Sequence, residues 1–268
     1  MNLFISSDIE GTCGIAAWSE TEPGRPDGDY AYFKQQMSRE VAAACRGALA
    51  AGGERILVKD AHDSARNIDP SVLPEEVQIN RGWAGDVYSM MSGIQHGDWD
   101  AAVFTGYHAA CCDGNPLSHT MNTSVDYVEI NGVRASEFTL NAYMAGYHGV
   151  PVCFVSGDAA LCDSARRMIP DIATVPVNKG DGNSATSLHP ALAVKRIEET
   201  LRAQLESGAY RTCIVPMPPK FEIIIRYKEH RAAYRCSFYP GVEQVDEKTL
   251  RFTCVDYMDA MCLFQFVL

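Results

Sequence analysis

The sequence predicts an α/β fold, in which a mostly parallel sheet is flanked by helices and followed by a smaller C-terminal α+β unit. Short apolar segments alternate with helical segments over the first part of the chain, which is typical of parallel strands joined by crossover helices. The composition shifts near residue 180, and the remaining chain has fewer elements. We therefore expect an α/β domain at residues 1–180 and a smaller α+β domain at residues 181–268.

The strands are predicted from short apolar runs that are bounded by turn residues. The clearest hairpin signal is Asn131-Gly132, a dipeptide that favours the type I′ turn between two strands. In chain order, the predicted strands are residues 3–6, 55–59, 77–80, 101–105, 127–130, 133–135, 150–155, 174–177, 221–227 and 250–255.

The helices are predicted from longer segments with a helical pattern or many helix-forming residues. The first stops at Gly52-Gly53, a pair that terminates helices. Residues 180–184 are rich in Gly and polar residues but lack the Lys and Ser or Thr of a phosphate-binding loop, so we interpret them as a flexible loop. In chain order, the predicted helices are residues 30–51, 136–147, 159–168, 189–207 and 257–266.

The composition argues against two classes of partner. The formal net charge of -11 would repel phosphate backbones, so we expect no nucleic-acid partner. No apolar stretch reaches the roughly 18 residues that a membrane span needs, so we expect no membrane partner. The chain also starts without the features of a secretion signal. We therefore expect a cytoplasmic protein whose ten cysteines are reduced and mostly packed in the core.

Carboxylate and imidazole side chains follow three of the predicted strands. Asp8 and Glu10 follow the first strand, and His62 follows the second. His108 follows the strand at residues 101–105, and Glu137 lies near the start of the next predicted helix. Ligands bind beyond the carboxyl ends of the strands in open α/β sheets. We therefore expect these side chains to meet at one rim of the sheet.

The spacing of Asp8 and Glu10 indicates a cation. Residues at i and i+2 of an extended segment face the same side, where two carboxylates would repel each other unless a cation lay between them. Imidazole together with carboxylate suits Zn²⁺, with manganese or cobalt as alternatives. The five predicted ligands are too many for one catalytic zinc, but they fit two ions that share one carboxylate. Two metal ions held close together in this way activate a water molecule for hydrolysis.

The other polar candidates carry weaker signals. His119 lies in a polar loop shortly after His108 and can reach the site without occupying a strand end. Asp158 ends a strand, so it either orients a ligand from behind or caps the next helix. The remaining histidines are interpreted as structural or solvent-exposed residues: His96, His148, His189 and His230.

Five segments together resemble the DppA-type zinc-dependent D-aminopeptidases, which are dinuclear zinc peptidases that remove N-terminal D-residues from small peptides. The segments occur in the order of that family and at similar spacing, and a looser resemblance covers most of the chain. The matching segments are Ser7-Asp8-Ile9-Glu10-Gly11, Asp60-Ala61-His62-Asp63-Ser64, Gly106-Tyr107-His108-Ala109, Ser118-His119-Thr120-Met121 and Glu137-Phe138-Thr139-Leu140-Asn141-Ala142-Tyr143.

The resemblance implies two zinc ions per chain, with Asp8 bound to both. Glu10 and His62 would complete one zinc site. His108 and Glu137 would complete the other.

The resemblance also implies a catalytic residue, a substrate and an assembly. His119 matches the catalytic histidine of the family, which is not a metal ligand. The substrate would be a short peptide with an N-terminal D-residue such as D-Ala. The family forms a ring-shaped homodecamer that encloses its active sites, so we expect a homo-oligomer here.

The residues by themselves leave two other functions open. One is a dinuclear hydrolase of another amide bond or of a phosphoester. A phosphoester hydrolase usually needs Arg or Lys beside the metals, and the motifs offer chiefly Lys59 and Arg134. The other alternative is a non-enzymatic metal-binding or peptide-binding protein, which would bind zinc without turnover.

Overall fold

The structure, a computed structural model, describes residues 1–25, 28–111 and 113–268. Each predicted apolar run contains a strand, and most of these strands extend one to four residues beyond the predicted limits. The short, mostly polar strands Ser184–Ser187 and Glu243–Gln244 were not predicted. The strands are β1 (Asn2–Ser7), β2 (Arg55–Asp60), β3 (Val77–Asn80), β4 (Ala101–Tyr107), β5 (Val125–Ile130), β6 (Val133–Arg134), β7 (Val152–Asp158), β8 (Ala173–Asp181), β9 (Ser184–Ser187), β10 (Phe221–Tyr227), β11 (Glu243–Gln244) and β12 (Thr249–Cys254).

The α-helices begin and end at recognisable boundary residues. Gly52 follows the first helix with a φ of 87°, and the Ser136 hydroxyl accepts a hydrogen bond from the N–H of Thr139 in the second. The α-helices are α1 (Tyr30–Ala50), α2 (Glu137–Tyr147), α3 (Ala159–Met168), α4 (Pro190–Glu206), α5 (His230–Cys236) and α6 (Tyr257–Val267).

The larger sheet follows the order β3-β2-β1-β4-β7-β8-β9. Its neighbouring strands are parallel except for β9, which is antiparallel to β8. Both β4 and β7 are buried at every position, as expected for central strands that are covered on both faces. This arrangement confirms the predicted fold class, a mostly parallel sheet flanked by helices.

The helices pack against this sheet and against one another. α1 packs along α4, and α2 contacts β4, β7 and α6. Gly47 permits the close approach of α1 and α4, because a Cβ atom there would lie 2.5 Å from the carbonyl oxygen of Glu198. Within the described ranges, no helix combines the length and the apolar character that a membrane crossing requires.

The second sheet is antiparallel and follows the order β11-β12-β10-β5-β6. Asn131 and Gly132 join β5 to β6 with φ angles of 51° and 78°, as the predicted type I′ turn requires. This sheet takes strands from both sides of residue 180, and α4 contacts β7 and β8 of the first sheet. The division into residues 1–180 and 181–268 stays a prediction.

Residues 180–184 do not form the predicted flexible loop. They contain the end of β8, a tight turn and the start of β9. Gly182 has a φ of 58°, which the turn requires and glycine adopts at little cost. The prediction was wrong because a Gly-rich and polar composition is common to open loops and to tight hairpin turns.

Candidate metal centre

Three adjacent strands, β2, β1 and β4, position most of the predicted ligands. Asp8 and Glu10 directly follow β1, His62 follows β2, and His108 follows β4. Because neighbouring parallel strands end at the same edge, these side chains meet there. Glu137 joins them as the first residue of α2. The structure therefore brings all five predicted ligands together, and each is at most 6% exposed.

Asp8 lies between two histidines. Its Oδ1 atom is 3.3 Å from Nδ1 of His62, and its Oδ2 atom is 3.5 Å from Nε2 of His108. Glu10 Oε2 lies 3.1 Å from the same His62 nitrogen. Glu137 Oε2 lies 3.4 Å from the same His108 nitrogen. The geometry thus contains two sets of ligand atoms that share the Asp8 carboxylate.

His119 also reaches this cluster. Its Nε2 atom lies 3.3 Å from Oε1 of Glu137, and its ring stacks on that of His108 with centroids 4.2 Å apart. In two groups of possible ligands, one ligand atom from each residue lies within 4.8 Å of the others. The groups are Asp8, Glu10 and His108, and His108, His119 and Glu137. Distance alone therefore does not separate His119 from the five predicted ligands.

In each of the three histidines of this cluster, one ring nitrogen faces a backbone carbonyl group. An N–H that donates to this carbonyl leaves the second nitrogen of a neutral ring as an acceptor, directed toward the carboxylates. Metal-binding histidines are typically oriented in this way. The pairs are His62 Nε2 with the Thr21 oxygen at 2.9 Å, His108 Nδ1 with the Ala109 oxygen at 3.0 Å, and His119 Nδ1 with the Leu117 oxygen at 2.8 Å.

Several buried polar atoms of the cluster lack a hydrogen-bond partner. Among the described residues, these include Asp8 Oδ2, Glu10 Oε2 and His108 Nε2. Buried polar atoms are nearly always paired, and leaving them unpaired is costly. A divalent cation would be bound by all three atoms, so these residues fit a metal ion with carboxylate and imidazole ligands.

Burial and mutual repulsion act on the carboxylates. Burial raises the pKa of Asp8 well above its usual range, and the charge of Glu10 raises it further. Burial also opposes ionisation of Glu137, but the neighbouring His108 and His119 outweigh it and lower its pKa to about 2. Negative charges crowded in a buried site are stabilised by positive charge among them, which a metal ion supplies.

The cluster lies at the base of a cleft of about 490 Å³. Asp8, Glu10, His62, His119 and Glu137 all line this cleft. Its remaining walls include two tryptophans and three acidic residues: Trp18, Trp83, Glu22, Asp63 and Asp86. The cleft is therefore negative and partly aromatic, which favours a cationic or neutral ligand over an anionic one.

The model of the D-aminopeptidase family matches residues 1–266 of the chain. The chain belongs to this family. This membership confirms the resemblance noted in the sequence, and the enzyme is a metallo-aminopeptidase of the D-aminopeptidase type. The alternative of a non-enzymatic binding protein is thereby set aside.

Two individual proteins support the assignment. A curated D-aminopeptidase of Bacillus subtilis (strain 168) is 29% identical over 264 residues, which are 97% of this chain and 94% of that protein. The solved structure of the Zn-dependent D-aminopeptidase DppA from Bacillus subtilis, described as a self-compartmentalizing protease, superposes with a TM-score of 0.91 at 26% identity. The superposition covers 100% of this chain and 96% of that structure.

Asp158 supports the backbone beside His108 in the candidate metal centre. Its Oδ2 atom accepts a hydrogen bond of 2.6 Å from the N–H of Ala109, the residue after His108. Its Oδ1 atom accepts one of 2.8 Å from the N–H of Leu161 and so caps α3. The helix cap interpreted from sequence is therefore confirmed, and the orientation of a ligand by Asp158 stays a prediction.

Asp60 supports the backbone that carries His62, a role that was not identified from the sequence. Its carboxylate accepts hydrogen bonds from the backbone N–H groups of Asn67 and Ile68 and from the Asn67 amide. The same Asn67 amide donates to the carbonyl oxygen of His62 at 2.7 Å. The signal available in the sequence was a carboxylate at the end of an apolar strand, two residues before a predicted ligand.

A glycine allows the two central strand ends to approach. A Cβ atom on Gly106 would lie 2.1 Å from the carbonyl oxygen of Asp8, and its φ of 68° is also unfavourable for other residues. The order Gly106-Tyr107-His108 at the end of β4 therefore serves backbone packing as well as the placement of His108.

The other predicted candidates lie outside the cluster. The Lys59 ammonium donates to the carbonyl of Gly82 and lies 4.6 Å from the ring centroid of Trp83. The Arg134 guanidinium stacks on Tyr127 at 3.4 Å. Of the histidines interpreted as structural, His148 ends α2 and His189 caps the start of α4. His96 and His230 lie at exposed positions.

Proposed function

We propose that the enzyme is a dinuclear zinc aminopeptidase that removes N-terminal D-residues, such as D-Ala, from short peptides. The observation that carries the proposal is the position of Asp8 between two histidines, with a second carboxylate beside each of them. The unpaired buried atoms of the cluster support it. The Zn-dependence of the DppA structure also supports zinc as the metal.

The ligands divide into two sites in this proposal. Asp8 would bind both ions, since its two oxygens face different histidines. Glu10 and His62 would complete one site, and His108 and Glu137 would complete the other. Two bound zinc ions would lower the pKa of a water molecule and polarise the scissile carbonyl group.

His119 is proposed as the residue that takes a proton from the attacking water and transfers it to the leaving amine. Burial and the neighbouring His108 lower its pKa, so the ring is neutral near pH 7 and able to accept a proton. Its ring lies between those of His108 and Trp18, with centroids 4.2 Å and 5.0 Å away. These contacts hold Nε2 at the wall of the cleft.

The acidic walls of the cleft favour a peptide substrate with a free ammonium group. Glu22, Asp63 and Asp86 attract the positive N-terminus of a peptide and repel phosphate. The two basic residues that a phosphoester hydrolase could use, Lys59 and Arg134, are engaged elsewhere. The geometry therefore favours the peptidase over a phosphoester hydrolase.

Assembly and location complete the proposal. We infer a homo-oligomer, and by the resemblance a decamer, in agreement with the self-compartmentalizing description of the DppA structure. A cytoplasmic location is compatible with the burial of every described cysteine except Cys262.

The decisive experiment combines metal analysis with a substrate panel. Purified enzyme supplied with zinc should hold close to two equivalents per chain and should cleave D-Ala-peptides faster than their L-Ala counterparts. Asp8→Ala should lose both ions and Glu10→Ala mainly one, whereas exposed Asp98→Ala should keep two. A wild-type value of one equivalent contradicts the dinuclear site, and preference for L-peptides or phosphoesters contradicts the substrate.

A further inference from the structure

A second cavity of about 210 Å³ adjoins the metal cleft. The two cavities share Ser89, Met121 and Gln265 in their walls. The remaining wall is largely apolar and includes Leu140, Met144, Met261 and Phe264. We call this cavity the methionine pocket.

Helix α2 connects the methionine pocket to the metal cluster. Glu137 starts the helix, and Leu140, Asn141 and Met144 follow on the same face at i+3, i+4 and i+7. With a rise of about 1.5 Å per residue, the pocket wall begins roughly 5 Å from Glu137 along the helix axis. An extended peptide advances about 3.5 Å per residue, so a side chain beside the scissile bond can reach the pocket.

Met121 links the pocket to the same ligand. Its backbone N–H donates a hydrogen bond of 2.7 Å to Oε1 of Glu137, two residues after His119. Its side chain lines both cavities. The pocket is therefore adjacent to the group proposed to protonate the leaving amine.

Two polar groups in the pocket wall are engaged with the protein. The Asn141 amide donates to the Tyr107 hydroxyl at 3.1 Å, and the Tyr257 hydroxyl donates to the Leu140 carbonyl at 2.8 Å. Apart from Ser89 and Gln265 at the side shared with the metal cleft, the surface left for a ligand is largely hydrocarbon, sulfur and aromatic ring. Methionine side chains are flexible and polarisable, so they adapt to apolar groups of different shape.

The volume of the pocket sets the size of its ligand. An apolar cavity of about 150 Å³ binds benzene, so a pocket of this size has room for a side chain such as Leu, Met or Phe. A methyl group would leave most of it empty. The pocket is thus larger than an alanyl substrate requires.

We propose that the methionine pocket binds the side chain of a substrate residue beside the scissile bond and favours large apolar side chains over Ala. The inference rests on the proposed peptidase function. The apolar side chain belongs to the residue on one side of the scissile bond, before it or after it, and the test below distinguishes the two.

The test uses two peptide series with the zinc-loaded enzyme. One varies the N-terminal D-residue among Ala, Leu, Met and Phe, and the other varies the second residue behind an N-terminal D-Ala. In one series, kcat/KM should rise by about 10-fold to 200-fold for the large apolar residues relative to Ala. The series that shows the rise identifies the residue whose side chain enters the pocket.

Val87→Phe is designed to block the methionine pocket. Val87 is half-buried in the pocket wall, and a larger side chain there would fill the pocket. This variant should lose the preference for large apolar side chains over Ala. Val245→Phe, at a 50% exposed position outside both cavities, should retain the preference. A preference that survives in Val87→Phe would contradict the inference.

A binding measurement tests the pocket without turnover. Benzene should raise the Tm of the wild type and of Val245→Phe, because a ligand that binds only the folded state stabilises it. It should not raise the Tm of Val87→Phe, and equal shifts in all three proteins would overturn the assignment. Cleavage of alanyl peptides without any size preference contradicts the inference alone, whereas absence of all peptide cleavage contradicts the proposed function.

Discussion

Three histidines of the metal cluster have surroundings that shift their pKa values in opposite directions. Burial opposes protonation of His62 and His108, but the carboxylates of Glu10 and Glu137 outweigh it and raise both pKa values well above the usual range. For His119, burial and the neighbouring His108 lower the pKa. Positive charge is thus favoured where the two proposed metal sites lie, and a neutral ring is favoured at the proposed proton-transfer residue.

Replacement of His119 tests this division of roles. His119→Ala should retain both zinc ions and the fold, and its kcat should fall by about 10²–10⁴-fold, which is typical for loss of a placed proton-transfer group. Metal analysis and steady-state kinetics check both parts, with exposed His96→Ala as the control. Loss of zinc from His119→Ala would make His119 a ligand, a role that its distance to Glu137 also permits.

Glu40 is a buried carboxyl group on α1 that the proposed mechanism does not use. Its Oε1 atom accepts hydrogen bonds from the N–H of Cys13 at 3.1 Å and from the Gln36 amide at 2.9 Å. Burial raises its pKa from 4.5 to about 7, despite these two hydrogen bonds. The protonated form is therefore the one that the folded state prefers.

The raised pKa of Glu40 predicts a pH-dependent stability difference. The pKa of Glu40 is higher in the folded state than in the unfolded state. Its protonated carboxyl group therefore contributes fully to the free energy of unfolding below about pH 4.5, and this contribution is lost as the pH rises through about 7. Glu40→Gln cannot ionise, so above pH 7 it should exceed the wild type by up to the order of 3 kcal/mol in unfolding free energy. Urea unfolding of the zinc-loaded proteins at pH 5 and pH 8 measures this. An equal difference at both pH values would show that Glu40 does not titrate as described.

At the scale of elements, the meeting of four candidate ligands could be predicted from sequence because each follows an apolar strand. The fifth candidate, Glu137, begins α2 instead. Asp8, His62 and His108 were assigned to one rim from that rule alone, and the order β2-β1-β4 places them there. The strand order itself depends on packing over long sequence separations, which local patterns do not contain. The chain between β4 and β7 illustrates this, since β5 and β6 lie outside the first sheet and β5 pairs with β10 instead.

Other features of the site depend on contacts between distant segments. The methionine pocket forms where α2 meets α6 and the loop that carries Val87, three segments far apart in sequence. The supporting role of Asp60 depends on the path of the loop through Asn67. Local sequence patterns determine neither the path of this loop nor the packing of α2 against α6. The methionine pocket and the role of Asp60 could therefore not be predicted from sequence.

Asp158 couples one element to the metal cluster, which gives a prediction at this scale. Asp158→Ala removes the cap of α3 and the acceptor for the Ala109 N–H, so stability should fall by about 1–3 kcal/mol. Zinc retention should also fall, because the backbone beside His108 loses its anchor. Asp158→Asn keeps one acceptor oxygen and should show a smaller loss in both measurements. Unfolding curves and metal titration test this, and an unchanged zinc affinity in Asp158→Ala would restrict Asp158 to the helix cap.

At the scale of the whole molecule, several exposed apolar side chains lie together in one depression of the surface, beside Asp256 and Asp259. Tyr147, Met217 and Val255 line an open depression of about 730 Å³ and are 40%, 38% and 75% exposed. Exposed apolar patches on proteins are commonly interfaces. We propose that this depression is an interface between copies of this chain in the homo-oligomer proposed above.

The proposed assembly predicts a large particle whose stability depends on this depression. Light scattering at micromolar concentration should give a mass near ten times that of the 29.4 kDa chain. Val255→Glu places a charge on the apolar depression and should shift the particle toward smaller species, since burying an unpaired charge is costly. Val133→Glu, at a 67% exposed hairpin position outside the depression, is the matched control and should leave the mass unchanged. A monomeric wild type would contradict the assembly and leave the metal chemistry untouched, because all five proposed ligands come from one chain. Equal effects of the two substitutions would contradict the depression as the contact surface.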